Sequence, residues 1–417
     1  MENIVIRDIT QEDICEYEKL CAISYHWKVE GLADEESYIR QLRETEEKKT
    51  YKKTQLYGNH LVRPGLYLEG KLQAAMSIFP YVVRFDGKEC EMGGVGGVVS
   101  NPEIRRSGNI RRLYKQVFED MRNRGQILSQ LYPFKASFYR KFGYEYCAGR
   151  GEWSVPTEYL PDIAFSGMVH YENTEEQNED IKKVYAKFAE RLNLSVIRSD
   201  EDWQEFLSMH KPYETETYSF LHYHDEEADG FLSYTVQQYP TEAMTIKTDN
   251  LYYANGNALR EMLAFLKGYS VYTSRTKLLL PADTDITLLL DEMCGKYGFH
   301  NVQREVIACG MARVVDVPAI LQLATYRGMG SASIRIHDSL CPWNDRCFQL
   351  VFDKELIQIS EGTEADIELD INTFSAVILG RYSFEDFGFL PNIKVYGNED
   401  NLRKIFYKKD IWIEEGF

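Results

Sequence analysis

The stretch Gly93–Ile110, GGVGGVVSNPEIRRSGNI, decides how this chain is read. It runs as a glycine-rich strand, a turn at Asn101-Pro102, then two arginines and a glycine that open a helix. Such a junction brings backbone N–H groups, cationic side chains and a helix N-terminus to one spot, which is how proteins hold phosphates. The helix is read from Ile110, Leu113, Tyr114, Val117, Phe118 and Met121, which recur at helical spacing, while Arg111, Arg112, Lys115 and Glu119 fall elsewhere. Gly108 lets backbone approach an anion with no Cβ in the way. The turn is not a P-loop, because no Lys-Ser/Thr pair follows a second glycine. It also lacks the three spaced glycines of a dinucleotide fold.

Beyond the helix, Ile127–Tyr132 reads as the next strand and Ala136–Phe142 as a short helix carrying Tyr139. Gly143 then makes a turn into another strand. The spacing Arg105-x-x-Gly108-x-Ile110 resembles the acetyl-CoA signature of the GNAT acetyltransferases, Q/R-x-x-G-x-G/A, with Ile110 where that family has a small residue. More narrowly, Pro102-Glu103-Ile104-Arg105-Arg106-Ser107-Gly108 and Phe138-Tyr139-Arg140-Lys141-Phe142-Gly143-Tyr144 resemble two motifs of the Eis-like (enhanced intracellular survival) acetyltransferases.

This resemblance implies a mixed α+β chain of two tandem GNAT-like domains followed by a sterol-carrier-like domain. The expected divisions are 1–150, 151–312 and 313–417, with the acetyl-CoA site in the first and no cofactor turn in the second. It also implies acetyl-CoA as co-substrate, no metal, and a homohexamer. Val98 and Val99 are then expected to pair with the pantetheine amides, and Arg105, Arg106, Gly108 and Asn109 to hold the pyrophosphate. Tyr139 is the expected general acid, and the terminal carboxylate on Phe417 the expected general base.

Composition narrows the field independently. A 417-residue chain with 44% hydrophobic residues and no repetitive tract has enough material for two or three packed domains. The net charge of −17 argues against nucleic acid, whose binding rests on neutralising phosphates; it suits cationic amines. No apolar run approaches the ~18 residues of a membrane span. The start, Met-Glu-Asn-Ile-Val-Ile-Arg-Asp, lacks a signal peptide's basic and apolar regions, so a cytoplasmic location is expected. The eight cysteines show no metal or redox spacing and are expected as free thiols, mostly buried.

Further elements are expected along the chain. In the first part these are a strand at 3–8, a helix at 10–24, a charged helix at Arg40–Lys53, and strands at Leu66–Leu72, Ala74–Tyr81 and Lys88–Val99. Asp86-Gly87 is an evident hairpin turn. The middle part calls for helices at Gln177–Leu192 and Ala258–Gly268 and one before Tyr297-Gly298-Phe299. Its strands fall at Glu216–His224, Phe231–Tyr239, Ala243–Tyr252 and Val271–Leu280, with Asp225–Gly230 as a connection. The last part begins with a helix at Val317–Leu321. Strands follow at Ser333–Ile336, Cys347–Phe352, Glu355–Ser360 and Ala365–Leu369, and then a helix at Ile371–Leu379.

The chemistry asked of these residues is demanding. A phenol near pKa ~10 must protonate a thiolate whose thiol lies near ~8.5, an uphill transfer. A terminal carboxylate near ~3.5 sits six or seven units below an aliphatic amine, so a water relay, burial, or entry of the amine already neutral is required. Glu414 and Glu415 can attract a cationic acceptor, although Gly416 stands where the family has an acidic residue. His26 and Trp27 are the remaining candidates for the acceptor pocket. His222-x-His224 lacks a third metal ligand and reads as a polar hairpin. The reading that results is acetyl transfer from acetyl-CoA to a primary amine: an aminoglycoside, a polyamine or a lysine-like acceptor. A longer acyl donor, or a non-catalytic lipid or small-molecule carrier built on the last domain, are the alternatives.

Overall fold

The computed structural model describes residues 3–47, 61–238, 244–294, 301–353 and 356–416. It divides into two compact units, one of Met1–Cys147, Gly310–Lys409 and Glu415–Phe417, the other of Ala148–Cys309 and Asp410–Glu414. The first unit opens with β1 (Ile4–Asp8), α1 (Ile14–Tyr25), α2 (Glu35–Glu47), β2 (Pro64–Leu68), β3 (Lys71–Phe85) and β4 (Lys88–Ser100). It continues with α3 (Asn109–Asn123), β5 (Gln126–Leu131) and α4 (Ala136–Tyr139), and β6 (Glu145–Pro156) carries the chain onward. β1 to β4 pair antiparallel in sequence order, and β5 joins β4 in parallel. A parallel step needs a crossover connection, and α3 supplies it. Its Leu113, Tyr114, Val117, Phe118 and Met121 are all buried against one face of the sheet. The other face is covered by Ile14, Tyr17, Leu20 and Cys21 of α1.

Tight turns set the strand lengths. Asp86-Gly87 has φ of 50° and 75°, the two-residue hairpin expected there. Glu69-Gly70 makes a similar turn, with φ of 49° and 80°, so the expected strand Leu66–Leu72 is in fact the end of β2 and the start of β3. Residues 48–53 of the expected charged helix lie outside the described residues; the described part starts earlier, at Glu35.

The second unit holds β7 (Met168–His170), α5 (Glu175–Ala189), β8 (Val196–Ile197), α6 (Asp200–Ser208), β9 (Tyr218–His224) and β10 (Glu227–Gln237). After these come β11 (Met244–Tyr253), α7 (Gly256–Lys267) and β12 (Thr273–Pro281), and β13 (Gln303–Val314) follows. β11 and β12 are parallel and joined by α7, repeating the β4–α3–β5 step. The connection expected over Asp225–Gly230 shrinks to Asp225-Glu226, both at positive φ, because Glu227 onward already pairs with β9. α6 was not expected; a Ser199–Asp202 capping box starts it. The helix expected before Tyr297-Gly298-Phe299 reduces to a single turn at Thr287–Leu289 among the described residues, and 295–300 lie outside them.

Back in the first unit, α8 (Val317–Leu323), β14 (Gly330–His337), β15 (Cys347–Phe352), β16 (Ile357–Glu361), β17 (Ile367–Asp370), α9 (Ile371–Ile378), β18 (Ile393–Val395) and α10 (Glu399–Ile405) complete the chain. Their sheet runs β16-β15-β14-β17-β18. β18 and α10 escaped the sequence reading because they are three and seven residues long.

One buried charge ties this segment to the α4 turn. Arg313, at the end of β13, is fully buried and donates to Asp338 Oδ2 at 2.5 Å, to Cys341 Sγ at 2.9 Å and to the Phe142 carbonyl. Its guanidinium lies 4.1 Å over the Phe118 ring. The arginine pulls the Cys341 thiol down and Asp338 pushes it up, but burial dominates and raises it to about 12. Gly143 follows at φ 88°, and a Cβ there would collide with the Arg313 guanidinium. The glycine of the Phe142-Gly143-Tyr144 motif is therefore required twice, by backbone conformation and by space. Gly143→Ala is expected to destabilise the protein by roughly 3–5 kcal/mol through displacement of this buried pair; denaturant unfolding measures it, and a loss below ~1 kcal/mol refutes the account.

Candidate active site

The pairing of β4 with β5 runs from Glu91↔Gln126 to Gly94↔Gln130 and stops. β4 itself continues to Ser100, still paired with β3. A bulge sits just past this break: Ser77 faces Gly96 and Ala75 faces Val99, so Gly97 and Val98 together oppose Met76. Gly97 adopts φ 56° there. A bulge increases local twist, and by Val98 the strand is already past its last pair with β5. Val98 is half-buried and its carbonyl accepts from the Tyr25 hydroxyl at 3.3 Å. Val99 is buried and in register with Ala75.

β4 leads through a single turn at Pro102–Ile104 to α3. Arg105 and Arg106 are exposed, Arg106 at φ 69°. Gly108 is the N-cap of α3 at φ 84°, exposed, with nothing near where a Cβ would stand. It supplies no capping side chain, so the first helical N–H groups remain available to an anion. Asn109 is buried and its side-chain oxygen accepts from Arg112, which leaves its backbone N–H as its contribution. The equivalent helix start in the second unit differs: the Asn255 side chain accepts from Asn257 and Ala258 N–H, both at 2.9 Å. That helix start is already filled.

Tyr139 ends α4 and is buried among Phe134, Phe138 and Tyr144 rings at 5.4, 5.1 and 6.3 Å. Burial, and then the neighbouring Tyr25 hydroxyl, push its phenol well above the usual range. It is thus a neutral O–H donor throughout the working pH range.

The tail is held in both units. In the first, Tyr132 donates to the Glu415 carbonyl at 2.8 Å and Tyr81 to the Gly416 carbonyl at 3.4 Å. In the second, Arg150 donates to the Ile413 carbonyl at 2.7 and 3.1 Å, and Ile411, Trp412 and Ile413 are buried. Glu414 belongs to the second unit as well. Its carboxylate accepts from Asn250, Tyr252, Arg198 and the Trp412 indole at 2.6, 2.7, 3.2 and 3.3 Å. Glu414 thus anchors the tail. Glu415 is half-buried, and Phe417 lies outside the described residues.

Of the other candidates, His26 ends α1 at φ 57° and is exposed, and Trp27 is 51% exposed with its ring 4.8 Å from that of Tyr25. Tyr25, which touches Val98 and neighbours Tyr139, is the member of this trio that sequence reasoning missed. Tyr132 and Tyr81 were missed too; nothing local marks them. His222 is buried with Nδ1 2.5 Å from Asp229 and Nε2 2.8 Å from Glu261, and His224 is exposed. Among the described residues no group of three or more His, Cys, Asp and Glu is arranged to hold a metal, and no helix is long and apolar enough to cross a membrane. All eight cysteines are free, five of them buried.

Comparison with known proteins fits this geometry. Residues 5–147 match an acetyltransferase (GNAT) domain model, residues 194–314 a second GNAT model, and residues 317–414 a sterol carrier protein domain. Among solved structures, a GCN5-related N-acetyltransferase from Anabaena variabilis is 17% identical with a TM-score of 0.79, covering 100% of both chains. A protein from Enterococcus faecalis described as a probable N-acyltransferase is 20% identical, TM-score 0.77, covering 99% of this chain and 100% of its own. Eis1 from Mycobacterium abscessus is 17% identical, TM-score 0.77, covering 100% of both. No functionally curated protein matches the chain. Two GNAT domains in tandem with a sterol carrier domain after them make the chain a GNAT-type acetyltransferase.

Proposed function

We propose that the protein moves acetyl from acetyl-CoA directly to a primary amine (an aminoglycoside, polyamine or lysine-like acceptor) within a ternary complex. Segment 1–150 acts as the donor domain, 151–312 as a copy without a donor site, and 313–417 as the carrier of the terminal carboxylate. The observation that carries this reading is the break in β4–β5 pairing at Gly94, from which β4 runs on to an uncapped helix start flanked by exposed arginines. Backbone groups of Val98 and Val99 would hold the pantetheine amides, and Arg105, Arg106, Gly108 and the Asn109 N–H the pyrophosphate. Charge-assisted bonds of that kind contribute about 1.5–3 kcal/mol each. The resemblance also carries a cytoplasmic homohexamer.

In the reaction the neutral amine attacks the thioester carbon, a C–N bond forms, and the C–S bond breaks with its electron pair going to sulfur. Tyr139 donates its O–H to that sulfur and transfers the proton as the bond opens. Because its phenol is held above the usual range, the phenol acts first as a hydrogen-bond donor, and proton transfer lags C–S cleavage. The amine's proton leaves to the Phe417 carboxylate, directly or through water. Glu415, His26 and Trp27 would line the acceptor's approach, with Glu414 fixing the tail rather than meeting the substrate.

Tyr139→Phe is expected to lower kcat by about 10²-fold with coenzyme A affinity unchanged in calorimetry; an unaltered kcat removes Tyr139 from the mechanism. A short tag fused after Phe417 should abolish turnover while the unfolding midpoint stays put, and full activity would exclude the terminal carboxylate. The pH dependence has a definite sign. The acid must be protonated, and its raised phenol remains so, whereas the neutral amine fraction grows about tenfold per pH unit below ~10. Accordingly kcat/KM should climb from pH 7 to 9 with no falling limb in that window. A maximum near pH 8 would contradict the assignment.

A further inference from the structure

Successive residues of a strand face opposite sides of the sheet. Tyr132 follows β5 and bonds the tail at Glu415, while Tyr81 on β3 bonds it at Gly416. These two contacts mark the face over which the tail lies, opposite the α3 layer. Ser129, on the α3 side of β5, is fully used: its Oγ donates to the Gly93 carbonyl at 3.0 Å and pairs with the Tyr144 hydroxyl at 2.7 Å. Gln130 is next along, two residues before Tyr132, and so belongs to the tail face. It is 1% exposed, and neither its Oε1 nor its Nε2 has a hydrogen-bond partner.

Burying a carboxamide with both ends unsatisfied is costly, and folded proteins tolerate few such groups. Its place is specific. Gln130 is the last β5 residue in register with β4, opposite Gly94, which has no side chain to fill the space above it. It stands at the rung where the strands part, beneath a tail whose last described residue is held by a single 3.4 Å bond.

We propose that Gln130 is an acceptor-binding residue: Oε1 takes an N–H of the incoming amine, and Nε2 takes a lone pair on a neighbouring polar atom of the same molecule. Both ends of the carboxamide are open, so a donor and an acceptor side by side satisfy it fully. A bare alkylamine satisfies one end and leaves the other buried and unpaired. This rests on the acetyl-transfer reading above, and it adds a preference for amines with an adjacent oxygen or nitrogen.

The test compares ethanolamine with n-propylamine, equal in size and differing by a hydroxyl, in a coenzyme A release assay on the full-length protein. Wild type is expected to favour ethanolamine about tenfold in kcat/KM, the factor one net hydrogen bond makes. Gln130→Leu and the nearly isosteric Gln130→Met should erase that preference, leave the KM for acetyl-CoA within about twofold, and keep or raise the unfolding midpoint, since an unsatisfied group is removed. A preference retained in both variants overturns the proposal, as does a wild type that turns over neither amine or both equally. A fall in midpoint with a rise in the acetyl-CoA KM would make Gln130 structural and overturn it too. Absence of heat when wild type is titrated with coenzyme A would instead overturn the acetyl-transfer reading itself.

Discussion

The geometry around the α4 turn rests on a guanidinium with no access to water. Arg313 meets an aspartate and a thiol from one loop, a carbonyl from the α4 turn and an aromatic face from α3. Such a pair adds little net stability over apolar packing, but losing one partner strands the other in a low-dielectric interior. Its value here is positional. The carbonyl it grips belongs to Phe142, three residues after Tyr139, so the α4 turn is referenced to β13 and to the loop of Asp338. The role proposed for Tyr139, a phenol directed at a departing sulfur, calls for that kind of reference, because a short helix alone does not hold direction.

The second constraint is the end of pairing between β4 and β5. A parallel pair that stays zipped presents no main-chain groups along its inner edges. Here pairing ends at Gly94, and a bulge at Gly97-Val98 follows three and four residues on. One strand then offers backbone to a ligand arm and the other offers the face on which Gln130, Tyr132 and the tail meet. In the proposed reading, donor and acceptor therefore approach a single point from different directions without competing for surface.

What could be read from the residues was what depends on neighbours in sequence. The α3 helix came from its own periodicity, the Asp86-Gly87 turn from its own dihedral demands, and the Arg105–Gly108 junction from spacing. Glu414 looked like a free acid near a binding site because three of its four donors, Tyr252, Asn250 and Arg198, are 162, 164 and 216 residues away. Tyr132 and Tyr81 meet the tail across 283 and 335 residues, so no local pattern could single them out. Tyr25 was passed over for His26 and Trp27 because its one distinguishing contact, the hydroxyl on the Val98 carbonyl, spans 73 residues. The merged strand at Leu66–Leu72 failed for a simpler reason: Glu69 is a poor turn signal beside Gly70.

The two crossover helices differ at one decisive position. In α3 a residue without a side chain leaves the first amides unclaimed; in α7 an asparagine claims them for itself. An internal cap and an external phosphate are rivals for the same hydrogens, so satisfying a helix locally retires it as a receptor. A duplicated fold can therefore give up an anion-receptive helix start through a change that strengthens the helix itself.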